Sequence, residues 1–206
     1  MLKIWGRITS INVQKVVICA EELGLRFERV DAGGQFGIVN TPEYKRLNPN
    51  ALIPVIEDGD FVLWESNAIV RYLARTHGGG GLWPDDPKLA ADADRWMDWQ
   101  ATTVTPAMTD AFWQLIRTPS DKRDAAALQA SIAKTEPKLA ILDAHLAQRD
   151  YAVGNVLTMA DIPLACAAHR WLGLPCEREA RPNVERYAAA IRKRPAFAKY
   201  LTLPIV

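Results

Sequence analysis

The chain has 206 residues, a length that suits one large domain or two small ones, since domains commonly run about 100 to 150 residues. Hydrophobic residues make up 49% and charged residues 24%, which excludes a disordered or fibrous chain. Lysine and arginine number 25 against 24 aspartates and glutamates, and the net charge of +1 argues against a nucleic-acid partner bound through many phosphates.

No segment of the sequence indicates export or membrane insertion. The N-terminus lacks an apolar core followed by a cleavage site, and no run of 18 apolar residues occurs. Cys19, Cys166 and Cys176 have no paired spacing, so we expect buried free thiols rather than disulfides or a zinc ribbon. The histidines also lack ligand spacing, so the sequence predicts a cytoplasmic protein with no metal and no membrane contact.

The first third of the chain alternates strands and helices. Its strands are predicted at residues 2–5, 26–30, 53–57 and 61–64, and its helices at 12–24 and 66–75. The first two strands flank a helix and should therefore be parallel. Asp58-Gly59 lies between two apolar runs, which predicts a hairpin of the last two strands.

The pattern changes at Gly78, where four glycines precede Leu82-Trp83-Pro84 and no strand pattern follows. Helices are predicted at residues 88–114, 122–148, 161–172, 187–192 and 196–201. Pro106 should kink or break the first of these and Pro137 should bend the second, because proline removes a donor and clashes with the preceding turn. The sequence thus predicts an α/β domain at 1–80, a linker at 81–87 and an all-helical domain at 88–206.

Two segments carry the most specific signal. Residues 48–57 read N-P-N-A-L-I-P-V-I-E, and residues 63–73 read L-W-E-S-N-A-I-V-R-Y-L. Together with L-W-P at 82–84, G-N-V-L-T-M-A-D at 154–161 and R-P-A-F at 194–197, they resemble the cytosolic glutathione transferases in the same order.

This resemblance covers nearly the whole chain and implies much about its function. The implied fold is a thioredoxin-like N-terminal domain followed by an all-helical domain. The implied activity uses glutathione as co-substrate, and its thiol attacks a small hydrophobic electrophile in detoxification. A homodimer is implied as well. Glutathione-dependent disulfide reduction, or a non-catalytic binding or stress protein on the same fold, remain alternatives.

The resemblance also places glutathione on a set of residues. Pro54 has the position of the family's cis-proline, which would expose the Ile53 backbone for pairing with the tripeptide as a short added strand. Glu65 suits the ammonium group, and Ser66 at a helix start suits the γ-glutamyl carboxylate. From the residues alone, Pro54 could begin an edge strand and Ser66 could merely cap its helix. The full glutathione set is Asn50, Ile53, Pro54, Glu65 and Ser66.

Ser10 stands where the family places the group that activates the thiol. A hydroxyl donor at a helix N-terminus favours the thiolate over the thiol. Ser10 resembles the serine-type, theta-like branches, but Asn12 and Val13 replace the proline and cysteine of their S-x-P-C-R pattern. Asn12 and Lys15 instead resemble bacterial branches that begin T-P-N-x-x-K. We expect Ser10 as the activator and Asn12 as second choice, although either could simply cap the helix.

The acceptor side is predicted from apolar residues near the thiol position. By the resemblance, Met108, Phe112 and Trp113 lie on the helix that faces the thiol, and Ile8 lies in the loop after the first strand. They would form an apolar pocket for the electrophile. Packing between helices is the alternative for Phe112 and Trp113.

Overall fold

The computed structural model describes all of residues 1–206, and its first part is built on a four-stranded sheet. The strands are β1 (Leu2–Trp5), β2 (Phe27–Val30), β3 (Val55–Asp58) and β4 (Phe61–Trp64). Their order is β2-β1-β3-β4, with β1 parallel to β2 and β3 antiparallel to both β1 and β4. The predicted parallel pair, the hairpin and the thioredoxin-like fold are confirmed.

Three helices accompany this sheet: α1 (Ile11–Glu22), α2 (Pro42–Leu47) and α3 (Ser66–His77). Sequence reasoning missed α2 and treated its residues as a polar stretch. Tyr44 is the only buried residue of α2, so the helix has no apolar periodicity to reveal it. The Thr41 hydroxyl caps the helix by accepting from the Tyr44 N–H at 3.2 Å, and this local bond indicates its start.

The remainder of the chain is helical. Its α-helices are α4 (Pro87–Trp99), α5 (Thr105–Phe112), α6 (Ala125–Leu146), α7 (Asp161–Gly173), α8 (Pro182–Ile191) and α9 (Pro195–Tyr200). Helix α8 begins five residues earlier than predicted, at a proline, which suits the first position of a helix. None of the helices combines the length and the apolar content that a membrane span requires.

Pro106, which was predicted to kink or break its helix, follows an interruption of the α-helical hydrogen bonding, but the helical run does not end there. The backbone between α4 and α5 widens into a π-helical turn at Gln100–Val104, and Pro106 follows as the second residue of α5. A π-turn accommodates the missing donor without ending the helical run, which continues through a second π-turn at Trp113–Arg117. Helix α6 likewise continues through Pro137.

Asp161 organises the start of α7. Its buried carboxylate accepts from the N–H groups of Ala152 and Thr158, both at 2.8 Å, and from the Tyr187 hydroxyl at 2.9 Å. Only half of a reciprocal capping box forms, because the Thr158 hydroxyl donates to this carboxylate instead of accepting from the Asp161 N–H. Burial raises the pKa of Asp161 to about 6, and the contacts make it an architectural residue.

Helix α1 is the centre of the molecule, since residues 13–20 are all buried. It packs against α3 and β1 in the first domain and against α7 and α9 in the helical domain. Lys15 on this helix is buried, and its Nζ donates to two neutral side chains, at Asn67 Oδ1 and Gln100 Oε1, both at 3.2 Å. Asn67 in turn donates to the Met97 carbonyl at 2.9 Å. These bonds join α1 and the first turn of α3 to the helical domain, and burial lowers the pKa of Lys15 to about 8.

We expect this buried lysine to make stability rise with pH. The unfolded chain keeps the Lys15 proton up to about pH 10.4, whereas the folded chain releases it near pH 8. Because the unfolded state binds more protons between these values, the free energy of unfolding increases with pH by roughly 2 to 3 kcal/mol between about pH 7 and about pH 10.

Urea unfolding of wild type and Lys15→Met at both pH values isolates this contribution, since other ionisations cancel in the difference. Lys134→Met, at an exposed position of α6, serves as the control and should follow the wild-type pH dependence. An identical pH dependence in wild type and Lys15→Met would contradict the assignment.

Candidate functional site

The register of the sheet brings three loop ends to one edge. Trp5, the last residue of β1, pairs with Val55, the first residue of β3, and Val55 also pairs with Trp64, the last residue of β4. The loops beyond these positions carry Ser10, Ile53 and Glu65, which were predicted from separate parts of the sequence. The antiparallel pairing therefore gathers them at a single edge.

Ser10 lies at this edge as the residue that precedes α1. Its backbone is extended, its N–H donates to the Arg7 carbonyl at 3.1 Å, and its carbonyl accepts from the Gln14 N–H at 2.9 Å. The hydroxyl makes no cap and no other hydrogen bond within the protein. A free hydroxyl beside the first N–H groups of a helix can donate to an anion such as a thiolate.

Asn12 is the second residue of α1 and is exposed. Its side chain is also free of hydrogen bonds to the rest of the chain. Both predicted activators therefore retain donors at the N-terminal turn of α1.

The Ile53–Pro54 peptide bond is cis, as predicted. The loop before it is held by the Leu52 carbonyl, which accepts from the Tyr44 hydroxyl and from Asn48 Nδ2, both at 2.9 Å. The N–H and C=O of Ile53 precede β3 and make no hydrogen bond within the protein. This short piece of backbone can pair with an extended peptide.

Asn50 lies in the same loop, and its hydrogen bonds are made within that loop. Its backbone N–H and its side-chain amide both donate to Asn48 Oδ1, at 3.0 and 3.1 Å. The exposed Asn50 thus stabilises the turn that precedes Ile53, and its side-chain oxygen and second amide N–H remain free for a ligand.

Glu65 and Ser66 form the third part of the edge. The backbone of Glu65 has φ of 72° and ψ of 111°, a conformation that residues other than glycine rarely adopt. Ser66 begins α3 and is 7% exposed, and its hydroxyl has no hydrogen-bond partner in the protein. The exposed Glu65 carboxylate has no basic partner. A carboxylate and a helix N-terminus side by side suit a ligand that carries both an ammonium and a carboxylate group.

The predicted acceptor residues differ in how far they are exposed to solvent. Ile8 is partly buried and Trp113 is 55% exposed, so both offer surface to a ligand. Phe112 is 7% exposed, and Met108 at 2% lies within the helical core. Packing therefore accounts for Met108, and a ligand could reach the Phe112 ring only at its margin.

Sequence reasoning did not identify the basic groups beside this ring. The guanidinium carbon of Arg170 lies 4.3 Å from the Phe112 ring centroid, and that of Arg117 lies 5.6 Å from it. Arg7 donates to the Thr9 hydroxyl at 2.8 Å, next to Ser10. These arginines come from distant segments, and no spacing in the sequence links them.

The cysteines are unsuited to act as nucleophiles. Burial raises the pKa of Cys166 to about 12, and it raises the pKa of Cys19 even further. Cys176 is partly buried, and its pKa is also raised. Cys19 lies in the core, as predicted. The protein's own cysteines therefore supply no thiolate at this edge.

Comparisons with known proteins agree with this geometry. Residues 1–75 match the family described as glutathione S-transferase, N-terminal domain, and residues 104–195 match glutathione S-transferase, C-terminal domain. Glutathione S-transferase GstB of Escherichia coli strain K12 is 39% identical over 207 residues, which cover 100% of both chains. Glutathione S-transferase 3 of Zea mays is 33% identical, over 96% of this chain and 92% of its own.

A solved structure matches along the whole chain. It is the theta class glutathione S-transferase from the citrus canker pathogen Xanthomonas axonopodis pv. citri, crystallised with glutathione bound. The TM-score is 0.96 at 41% identity, covering 100% of this chain and 99% of that one. Family models match both domains, and full-length relatives match the whole chain. The chain therefore belongs to the glutathione S-transferase family.

Proposed function

We propose that the protein is a glutathione transferase, which joins the sulfur of glutathione to an electrophilic carbon. The observation that carries this proposal is the set of unused hydrogen-bonding groups at one edge of the sheet. They are the Ser10 hydroxyl, the Ile53 backbone, the Glu65 carboxylate and the Ser66 hydroxyl. A tripeptide with an ammonium group, a carboxylate, a thiol and a pairing backbone is complementary to all four.

In this proposal glutathione binds along the edge. The γ-glutamyl carboxylate accepts from Ser66 and the first N–H groups of α3, and its ammonium group contacts Glu65. The cysteinyl backbone pairs with Ile53, beside Pro54, as a short added strand, and Asn50 borders the loop. This pose directs the thiol towards α1. Family membership and the relative crystallised with glutathione support it.

The reaction then needs a thiolate. The Ser10 hydroxyl, or the Asn12 amide, donates to the sulfur and lowers the pKa of the glutathione thiol, whose proton passes to water. The thiolate attacks the electrophilic carbon, the C–S bond forms, and the leaving group departs with its electron pair. We favour conjugation over disulfide exchange as the activity, because no cysteine occupies the activating position.

Removing the activating donor should raise the pKa of the bound thiol. We expect Ser10→Ala to raise it by about one unit and to lower the conjugation rate near neutral pH about tenfold, because the thiolate loses a charge-assisted hydrogen bond. Thiolate absorbance in the ultraviolet, followed against pH with glutathione bound, measures the pKa.

Asn12→Ala gives the same result if the amide is the activator, and Ser120→Ala, in the exposed loop before α6, is the control. An unchanged thiol pKa and rate in both Ser10→Ala and Asn12→Ala would refute the mechanism.

The binding groups can be tested apart from the chemistry. Glu65→Gln and Ser66→Ala should each weaken glutathione binding roughly tenfold, since each removes a charge-assisted contact of about 1.5 to 3 kcal/mol. Isothermal titration calorimetry measures the affinity, and Asp60→Asn in the neighbouring exposed turn should leave it unchanged. If the wild type failed to bind glutathione at millimolar concentration, a non-catalytic role on this fold would replace the proposal.

We also infer a cytoplasmic homodimer with a role in detoxification, on the basis of family membership. The division into domains 1–80 and 88–206 with a linker at 81–87 belongs to the same proposal. The end of α3 at His77 and the start of α4 at Pro87 support it. Light scattering should give the mass of two chains, and the mass of a single 22.9 kDa chain at micromolar concentration would contradict the dimer.

A further inference from the structure

A buried positive charge lies behind the residues proposed to hold the γ-glutamyl end of glutathione. Lys15 is 4% exposed, and its Nζ donates to Asn67 Oδ1 at 3.2 Å. Asn67 follows Ser66 directly and is the second residue of α3. The ammonium group is therefore one side chain away from the turn whose free N–H groups and Ser66 hydroxyl are proposed to receive a carboxylate.

The polar contacts of Lys15 hold the side chain in place without neutralising its charge. Its second acceptor is Gln100 Oε1, also at 3.2 Å, and Gln100 Nε2 donates to the Thr105 hydroxyl at 2.6 Å. Asn67 Nδ2 donates to the Met97 carbonyl at 2.9 Å, and this bond fixes the amide with its oxygen towards Nζ. Both acceptors of Lys15 are neutral amides, so the ammonium group is ordered but has no carboxylate partner.

The charged and titratable groups around Lys15 also leave it without a compensating anion. On α7, Arg170 repels it, and the Cys166 thiol is neutral at physiological pH because burial raises its pKa to about 12. Glu65, at the turn before α3, is the acidic group that acts on Lys15. Its carboxylate is exposed and forms no ion pair with the ammonium group, so the buried charge is compensated only from a distance.

Glutathione can supply the missing negative charge. In the pose proposed above, its ammonium group engages Glu65 and its γ-glutamyl carboxylate lies at Ser66, on the turn that Asn67 joins to Lys15. Attraction between this carboxylate and a buried ammonium group is only weakly screened, because protein rather than water lies between them. The attraction has the same sign as that of the α3 N-terminus and adds to it.

We propose that Lys15 is a positioning residue for glutathione, whose buried ammonium group fixes the first turn of α3 through Asn67 and supplies the positive charge that holds the γ-glutamyl carboxylate at Ser66. This inference rests on the proposed function. No bond is made or broken at Lys15, and the residue does not contact the sulfur. Its contribution is to the affinity for glutathione.

The proposal links glutathione binding to the protonation of Lys15. Burial lowers the pKa of Lys15 to about 8, so the free protein loses this charge as the pH rises from about 7 to about 9. A bound carboxylate stabilises the charged form and raises this pKa, and by reciprocity the protonated protein binds glutathione more tightly. The affinity is therefore greatest below pH 8 and falls as the pH rises through this value.

S-Methylglutathione is a suitable probe, because it retains the γ-glutamyl group and has no thiol to titrate. By isothermal titration calorimetry, Lys15→Met should bind it about fivefold more weakly than the wild type at about pH 6.5 and equally at about pH 9. Ionisation of the ligand's amino group affects both proteins and cancels in the ratio. Lys134→Met, at an exposed position of α6, is the control and should match the wild type at both pH values.

Gln100→Glu separates the charge of Lys15 from its hydrogen bonds. The glutamate has nearly the same shape, and its carboxylate can accept from both Lys15 and the Thr105 hydroxyl while it neutralises the ammonium group. We expect about fivefold weaker binding of S-methylglutathione at about pH 6.5, and little further loss at about pH 9 because the pair keeps Lys15 protonated. A purely structural lysine would be held as firmly as before, and the affinity would not change. Gln129→Glu, at an exposed position of α6, is the matched control.

The outcomes separate this inference from the proposed function. A wild type that fails to bind S-methylglutathione at millimolar concentration at either pH contradicts the proposed function itself. Binding with the same pH dependence in wild type and Lys15→Met, or a wild-type affinity in Gln100→Glu, overturns the role of Lys15 alone. Circular dichroism checks the fold of each variant, and Gln100→Glu decides the question if Lys15→Met does not fold.

Discussion

The antiparallel pairing of β3 with β1 and β4 is the constraint on which the site depends. Because Trp5, Val55 and Trp64 lie opposite one another, the chain leaves β1, enters β3 and leaves β4 at the same edge of the sheet. A shift of one residue would reverse the faces on which the strand side chains lie and disrupt the core. The register thereby places a hydroxyl, a free backbone segment and a helix N-terminus within reach of one small peptide.

Helix α1 connects this edge to the rest of the molecule. It is buried on all sides because the sheet and the helical domain both pack against it, and it carries Ser10 at one end. The Lys15 hydrogen bonds to Asn67 and Gln100 hold the first turn of α3 and the end of α4 to the same helix. The proposed glutathione-binding residues of the first domain and the helical domain consequently share one rigid support.

Elements with strong local signals could be predicted from sequence. The Asp58-Gly59 turn, the apolar period of α1 and the position of Pro54 each depend on a few adjacent residues, and the structure contains all three features. Helix α2 was missed because it buries only Tyr44 and is stabilised by a cap instead of an apolar stripe. The sequence left a kink and a break open at Pro106, and in the structure a π-turn absorbs the missing donor while the helical run continues.

The sequence by itself determined the fold class, the family resemblance and the groups proposed to bind glutathione, because these depend on short motifs whose geometry is local. Only the tertiary structure decided how far each predicted acceptor residue is exposed and which side chains lie beside it. It buried Met108 in the core and placed Arg117 and Arg170, which are more than fifty residues apart in the sequence, beside the Phe112 ring. Long-range packing sets such neighbours, and no period or spacing in the sequence records which distant side chains will lie together.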